Sequence, residues 1–211
     1  MIMNKILIFT LLSVIGLVSL FLAGVYDRFP GDLQSTTFLQ GIESIALNSY
    51  MKIVSFLTEG EFMFAFGLLV VLIMHFLRKR KEFFMSLGML IVLHLNPILK
   101  LIAGRPRPTT ELVEIFTDSK GMSFPSGHAF QVIVLFGFLI YLVERMVSTI
   151  WMRRTIQILL IMLILSVGIS RIYLGAHWLS DVIAGYYFGF IFLLALIIFW
   201  DEIEALRYRS L

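Results

Sequence analysis

The chain of 211 residues contains no cysteine and few charged side chains. Without cysteine it can have neither a disulfide framework nor a thiolate ligand for zinc or an iron–sulfur cluster, which excludes those kinds of site. Only 15% of its residues are charged, against about 25% in an ordinary globular protein. The net charge of +3 is small and scattered, whereas nucleic-acid binding needs a concentrated cationic face. We therefore exclude a water-soluble monomer and expect no nucleic-acid partner.

Apolar residues, in contrast, make up 59% of the chain, and the mean hydropathy is +0.94. A chain of this size has too little interior to bury so many Phe, Leu and Ile side chains, so lipid must surround much of its surface. A helix needs about 20 apolar residues to cross a bilayer core about 30 Å thick. Six stretches between charged residues approach this length and predict six transmembrane helices, at residues 6–26, 62–77, 83–99, 127–143, 155–170 and 182–200.

Residues 33–57, between the first two apolar stretches, carry apolar side chains at helical spacing and polar side chains on the other faces. This pattern predicts one amphipathic helix that lies at the membrane surface or packs against the bundle. No internal repeat, low-complexity tract or linker interrupts the sequence. We therefore expect an all-α membrane protein, in which residues 1–211 form a single domain of six transmembrane helices and one interfacial helix.

Lysine and arginine residues in the short loops indicate how the chain is oriented in the membrane. If the six helices alternate in direction, the basic run at residues 78–81 falls on the same side as both termini. The positive-inside rule makes that side the cytoplasm. The loops at residues 102–125 and 171–181 should then face outward.

Three groups of polar residues lie in or beside these two outward loops. In the first group, Lys100 is followed by Arg105 and Arg107, each of which precedes a proline. A lysine near prolines is common where a helix ends at the membrane interface. Alone, this group is weak support for a functional site.

The second group opens the fourth apolar stretch, where Ser126, Gly127 and His128 follow Pro125. Ser126 is placed to cap the helix, and Gly127 lets a ligand approach the backbone closely, so the free N–H groups of the first turn form a candidate anion site. A histidine in the first turn of a transmembrane helix is uncommon. Its position suggests that it faces a ligand.

The third group contains Ser170 and Arg171, followed by His177 and Asp181. If the last helix has begun by His177, Asp181 lies four residues further on the same face. Its carboxylate can then accept the Nδ1 proton of the imidazole, which leaves the Nε2 lone pair free to attack an electrophile. A polar pair that merely anchors the helix explains this group equally well when it is taken alone.

Taken together, the three groups favour chemistry at phosphorus. Lys100, Arg107 and Arg171 supply three cations, and the two guanidinium groups match the oxygens of a tetrahedral oxyanion. Two histidines on different helices, one of them oriented by a carboxylate, are the parts needed for a nucleophile and a proton donor.

Two other histidines, His75 and His94, lie singly in apolar stretches without nearby clusters of Asp and Glu. We interpret both as packing residues. The sequence therefore predicts neither a metal site nor a cofactor.

The three groups have the patterns K-x6-R-P from Lys100, P-S-G-H from Pro125 and S-R-x5-H-x3-D from Ser170. In order and spacing they resemble the three-part signature of the type 2 phosphatidic acid phosphatase family, which is related to bacterial acid phosphatases and vanadium-dependent haloperoxidases. Leu179 departs from the proline that many relatives carry there, which bears only on where the last helix begins.

The resemblance implies that His177 attacks phosphorus and forms a phosphohistidine, that Asp181 fixes its tautomer, and that His128 protonates the leaving oxygen. It also implies a set of phosphate-binding residues: Lys100, Arg107, Ser126, Gly127, Ser170 and Arg171. Arg105 lies just outside the pattern, and we expect it to contact the headgroup or the rim of the site.

The function implied is hydrolysis of a lipid phosphomonoester or pyrophosphate, such as a polyprenyl pyrophosphate, phosphatidylglycerol phosphate or phosphatidic acid. The expected location is a bacterial inner membrane, with lipid as substrate and no obligatory protein partner. Two alternatives remain at this point. One is a phosphotransferase of the same family, and the other is a protein that binds or transports a phosphate headgroup without breaking it.

Overall fold

The computed structural model describes residues 2–42 and 44–209. Helices are the regular structure of these residues, with no strand among them, which confirms the predicted all-α class. In chain order the helices are α1 (Ile2–Val25), α2 (Asp32–Gln40), α3 (Ile45–Phe56), α4 (Gly60–Phe76), α5 (Arg80–Leu93), α6 (Asn96–Ala103), α7 (Gly127–Met146), α8 (Ile150–Tyr173) and α9 (Leu179–Arg209).

Among the described residues, four helical segments are long and apolar enough to cross a membrane: Arg80–Ala103, Gly127–Met146, Ile150–Tyr173 and Leu179–Leu206. Helices α3 and α4 supply a fifth if the pair, bent by 57°, is counted as one broken span. The apolar part of α1, Phe9–Val25, is shorter than these segments. An integral membrane protein with four or five candidate spans is therefore supported, whereas the predicted count of six is not confirmed.

The prediction of one continuous amphipathic helix over residues 33–57 is wrong. The first helix of this region, α2, ends at Gln40 with Gly41 as its C-cap, and α3 begins at Ile45 after Ser44. Ser44 has an extended backbone, and its hydroxyl accepts a hydrogen bond from the N–H of Leu47 at 3.1 Å, which satisfies one of the free donors at the new helix start. The α3 helix then packs on α8, where the hydroxyls of Tyr50 and Ser166 are hydrogen-bonded at 2.7 Å.

The predicted third span, residues 83–99, lies within the candidate span Arg80–Ala103, whose helix is interrupted at residues 94–95 between α5 and α6. Helix α6 has Pro97 in its first turn, and proline has no backbone N–H to continue the hydrogen-bond ladder of α5. Helix α6 ends at Gly104, whose φ of 65° is the left-handed conformation that glycine adopts most easily at a helix end. This short helix places Lys100 in its last turn, one turn before the loop that carries Arg105 and Arg107.

The core forms where α7 packs against α8 and α9. Side chains of α7 such as Phe130, Leu135 and Phe138 are fully buried there. The contact with α9 brings the two backbones together, because a Cβ built on Gly185 would lie only 2.6 Å from the carbonyl oxygen of Ser126. Small residues allow such close helix packing in membranes. This contact holds the start of α7 against the start of α9, where two of the three polar groups lie.

We predict that Gly185→Ala destabilises this contact by about 2 kcal/mol, because the added methyl group has no room against the α7 backbone. The melting temperature in detergent should fall by roughly 4–8 °C. Gly41→Ala is the matched control, since a Cβ at Gly41 meets its nearest atoms at 3.4 Å, an ordinary contact distance. Equal melting temperatures for the two variants would show that the α7–α9 contact is not tight.

Candidate active site

A cavity of about 410 Å³ lies where the three polar groups of the sequence meet. It is lined by Lys100, Arg107, Gly127, His128, Arg171 and His177, which are six of the nine predicted site residues. Further lining residues come from the break between α3 and α4 and from the loop between α6 and α7: Glu59, Gly60, Glu61, Thr117, Asp118, Ser119 and Lys120.

His177 lies in the turn before α9, not inside the helix as the spacing argument assumed, because α9 begins only at Leu179. The two side chains nevertheless lie next to each other, although without the predicted hydrogen bond from Nδ1. Asp181 is in the first turn of α9, and its Oδ2 accepts a hydrogen bond from the N–H of Trp178 at 2.8 Å, which folds the turn back onto the helix. The Nδ1 atom of His177 lies 3.6 Å from the same Oδ2. The imidazole is 2% exposed, and the carboxylate is fully buried.

Ser123 is a site residue that the sequence argument missed. Its hydroxyl donates to Oδ2 of Asp181 at 2.5 Å and lies 3.3 Å from Nδ1 of His177. Ser123 and Asp181 are therefore both on the Nδ1 side of the imidazole. Ser123 precedes the P-S-G-H pattern by two residues, in a loop without periodicity, and only the fold shows that it reaches Asp181.

Arg107 faces the opposite nitrogen of the imidazole, with Nη1 3.2 Å from Nε2 of His177. The same guanidinium donates to the main-chain carbonyls of Ala176 at 2.7 Å, Gly121 at 3.0 Å and Lys120 at 3.0 Å. These contacts hold the planar group in a fixed orientation between two loops. Among the described residues they use four of its five N–H donors, and an Nη2 proton is left for a ligand.

Burial lowers the pKa of His177 well below its ordinary value of 6.5, and the nearby cations Arg107, Lys100 and Arg171 lower it further. The imidazole is therefore neutral around pH 7. Burial also lowers the pKa of Arg107, an effect that the carboxylate of Asp181 opposes. A neutral imidazole with its Nδ1 side against Ser123 and Asp181 presents the Nε2 lone pair towards Arg107 and the cavity.

Lys100 and Arg171 are the other two cations of the cavity. The Nζ atom of Lys100 donates to the carbonyl of Met122 at 2.5 Å. The Nη1 atom of Arg171 is bonded to the hydroxyl of Ser55, and Nη2 donates to Ser119 at 3.0 Å. The buried Nε of Arg171 has no hydrogen-bond partner within residues 2–42 and 44–209. A buried N–H without a partner is costly, so this donor suits an anion bound in the cavity.

His128 lies in the first turn of α7, and it too lines the cavity. Its Nε2 atom is buried and has no partner among the residues that the structure describes. A ring nitrogen in this position can give a proton to a bound ligand or accept one from it.

Three residues singled out by the sequence make contacts that it did not predict. The side chain of Ser126 does not cap α7, and its N–H already donates to the carbonyl of Asp181 at 2.9 Å. The hydroxyl of Ser170 donates to the carbonyl of Val167 at 2.7 Å within its own helix, so neither serine lines the cavity. Arg105 is not at the rim: its side chain is 0% exposed and forms ion pairs with two buried carboxylates.

The remaining histidines contact aromatic rings. The ring of His75 lies 5.4 Å from that of Phe83, and the ring of His94 lies 5.4 Å from that of Phe64. In the described part of the chain, no three His, Asp or Glu side chains lie close enough together to hold a metal ion.

Comparison with known proteins adds independent information. The family model of the PAP2 superfamily matches residues 81–204. The chain is 28% identical over 168 residues to phosphatidylglycerophosphatase B of Bacillus subtilis (strain 168), a match covering 77% of this chain and 80% of that protein.

Two solved structures have a similar fold. One is the transmembrane PAP2 type phosphatidylglycerolphosphate phosphatase from Bacillus subtilis, with a TM-score of 0.75 and 23% identity, covering 90% of this chain and 96% of that one. The other is LpxE of Aquifex aeolicus, with a TM-score of 0.65 and 21% identity, covering 81% and 97%. These similarities concern the fold, because the sequence identities are low.

We predict that His177 stays neutral at pH 6.5, where an ordinary histidine is half protonated, because a lowered pKa shifts protonation to more acidic pH. The measurement is a ¹⁵N NMR titration of histidine-labelled protein in detergent, with the signal assigned by its loss in His177→Ala. Half-protonation at or above pH 6.5 would contradict the burial and charge argument.

Proposed function

The chain belongs to the PAP2 superfamily and is a membrane lipid phosphatase, and from this premise we propose that it hydrolyses its substrate through a phosphohistidine formed on His177. One observation carries the proposal: Nε2 of His177 lies 3.2 Å from Nη1 of Arg107 in a cavity that Lys100, Arg171 and His128 also line. A phosphate oxygen bound by Arg107 brings phosphorus next to this nitrogen.

In the first step, the Nε2 lone pair of His177 attacks phosphorus, and the bond from phosphorus to the leaving oxygen breaks. The electron pair of that bond goes to the leaving oxygen, which takes a proton from His128 and departs as the lipid alcohol, or as a lipid monophosphate when the substrate is a pyrophosphate. Asp181 and Ser123, on the Nδ1 side, stabilise the positive charge that develops on the ring.

In the second step, water attacks the phosphohistidine. His128, now neutral, takes a proton from the water, and the electron pair of the phosphorus–nitrogen bond returns to Nε2 of His177. Inorganic phosphate is released, and both histidines regain their starting states.

The phosphate-binding residues stabilise the negative charge on the phosphoryl oxygens in the transition state. We assign the equatorial oxygens to Lys100, Arg107 and Arg171, together with the main-chain N–H groups at the start of α7 near Gly127. Gly127 permits close packing here, since a Cβ on it would lie 3.3 Å from Oδ1 of Asn96. The residues that line the cavity do not include Ser126 and Ser170, whose part in phosphate binding stays a prediction.

For the substrate, we propose phosphatidylglycerol phosphate as the first candidate, because the sequence relative from Bacillus subtilis is named phosphatidylglycerophosphatase B. A polyprenyl pyrophosphate and phosphatidic acid are the other lipids to compare. All three place a phosphate at the membrane interface with the tail in the bilayer, and no protein partner is needed.

We further propose the arrangement in the membrane that the sequence favours. Both termini face the cytoplasm, the cavity faces outward, α1 completes a set of six spans, and residues 1–211 act as one catalytic unit. The supporting observations are the basic run at residues 78–81 and the origin of the lining residues in several distant segments of the chain.

We predict that His177→Ala lowers turnover by at least about 10³-fold, because no other group supplies the nucleophile. The assay measures phosphate release from phosphatidylglycerol phosphate, phosphatidic acid and a polyprenyl pyrophosphate in mixed micelles. His75→Ala is the matched control, since His75 lies outside the cavity, and it should keep near wild-type activity. In water enriched in oxygen-18, hydrolysis should place the label in the released phosphate. Transfer of an unlabelled phosphoryl group to an acceptor other than water would instead indicate a phosphotransferase. Retained turnover in folded His177→Ala would remove His177 as the nucleophile.

A second prediction concerns metals. Activity should survive EDTA, because the cations of the cavity are side chains, and vanadate should inhibit by mimicking five-coordinate phosphorus. The first measurement is the initial rate of phosphate release with and without excess chelator. The second is the same rate at increasing concentrations of vanadate. Complete loss with EDTA and recovery with Mg²⁺ would contradict the assigned roles.

A further inference from the structure

Arg105 lies at the centre of a buried cluster of charges beside the candidate site. Its Nη1 atom donates to Oδ1 of Asp181 at 2.7 Å and to the hydroxyl of Ser180 at 2.7 Å. Its Nη2 atom donates to Oδ2 of Asp32 at 2.7 Å, and its Nε donates to the carbonyl of Asp27 at 3.0 Å. The guanidinium is 0% exposed, and both carboxylates are at most 1% exposed.

The two oxygens of Asp181 have different partners. Oδ1 is held by Arg105, whereas Oδ2 accepts from Ser123 and from the N–H of Trp178 and faces Nδ1 of His177. Rotation of the carboxylate about its Cβ–Cγ bond would break contacts on both sides. Arg105 therefore helps to fix the plane of the carboxylate and, with it, the direction of the oxygen that faces the imidazole.

Asp32 in turn holds Arg105. Its Oδ2 accepts from Arg105, from the N–H of Phe29 at 2.8 Å and from the hydroxyl of Ser180 at 2.8 Å. Its Oδ1 accepts from the N–H of Ser180 at 2.9 Å, next to Asp181 in the chain. The ring of Phe29 packs 4.9 Å from the guanidinium carbon. The carboxylate of Asp32, at the start of α2, is thus fixed by three elements.

A cluster of this kind is a poor way to gain stability. Removing one cation and two carboxylates from water carries a large desolvation cost, and buried ion pairs are often no more stabilising than apolar side chains of the same size. The fixed orientation that it imposes on Asp181 is the property that an apolar cluster would not supply.

We propose that Arg105 and Asp32 are positioning residues for the reaction. They hold the carboxylate of Asp181 so that its Oδ2 faces Nδ1 of His177. The opposite nitrogen, Nε2, then keeps its lone pair directed at the phosphate. Neither residue lines the cavity, so they act through Asp181. This inference rests on the proposed function of His177.

The test compares Arg105→Met, Arg105→Lys and Asp32→Asn with the wild-type chain, with folded sites counted by vanadate titration. Per folded site, kcat should fall about 100-fold in Arg105→Met and about 10-fold in the two conservative variants, because a displaced positioning group misaligns the nucleophile. KM should stay within about twofold, since Lys100, Arg107 and Arg171 remain in place.

The control is Lys81→Met, which removes a cation bonded to Asp201 and Glu204 away from the cavity. It should lower stability while leaving kcat unchanged. If Arg105→Met does not fold, Arg105→Lys and Asp32→Asn decide the question, and wild-type kcat in either folded variant would overturn the proposal. Loss of folded protein with unchanged kcat per site, in any of the three, would likewise show a purely structural role. The proposed function fails separately, if folded His177→Ala retains turnover.

Discussion

The hydrogen bonds of the Asp181 carboxylate are the interaction on which the rest of the site depends. One oxygen is bonded to Arg105 from the loop after α6, and the other to Ser123 from the loop before α7. The main-chain carbonyl of the same residue accepts the N–H of Ser126 at the start of α7. A buried carboxylate is stable only when its oxygens are satisfied in this way. The partners of this carboxylate lie on the segments that carry the other polar groups, so its hydrogen bonds hold these segments together. They also fix the oxygen that faces Nδ1 of His177.

The sequence predicted those residues of the cavity lining that lie at helix ends. Lys100, His128 and Arg171 lie in terminal turns, where a polar residue next to a long apolar stretch stands out. Ser123 and Asp32 could not be found in this way. A serine in an irregular loop carries no periodic signal, and Asp32 meets Ser180 across 148 positions of the chain. Only the packing of the helices brings such residues together.

The limits of the fold prediction have a similar origin. Counting apolar residues between charges found the helices, since lipid exposure requires long apolar stretches. It did not find the break after α2 or the interruption at residues 94–95, because a hydropathy average is insensitive to single residues that change backbone direction. The 57° bend between α3 and α4 lies in the gap that the sequence left between residues 33–57 and 62–77, and it brings Glu59 and Glu61 to the cavity. The sequence thus predicted where the helices lie more accurately than it predicted where they are interrupted.

The wall of the cavity carries charges of both signs among its described residues. Besides the cations, three carboxylates line it, those of Glu59, Glu61 and Asp118. A purely cationic cavity would hold inorganic phosphate, the small and highly charged product, as firmly as it holds the transition state, and product departure would then limit the rate. Carboxylates at the same wall weaken the retention of the free anion, while a lipid gains additional affinity from its tail in the bilayer. A cavity wall with charges of both signs therefore favours the release of inorganic phosphate and the binding of the next lipid substrate.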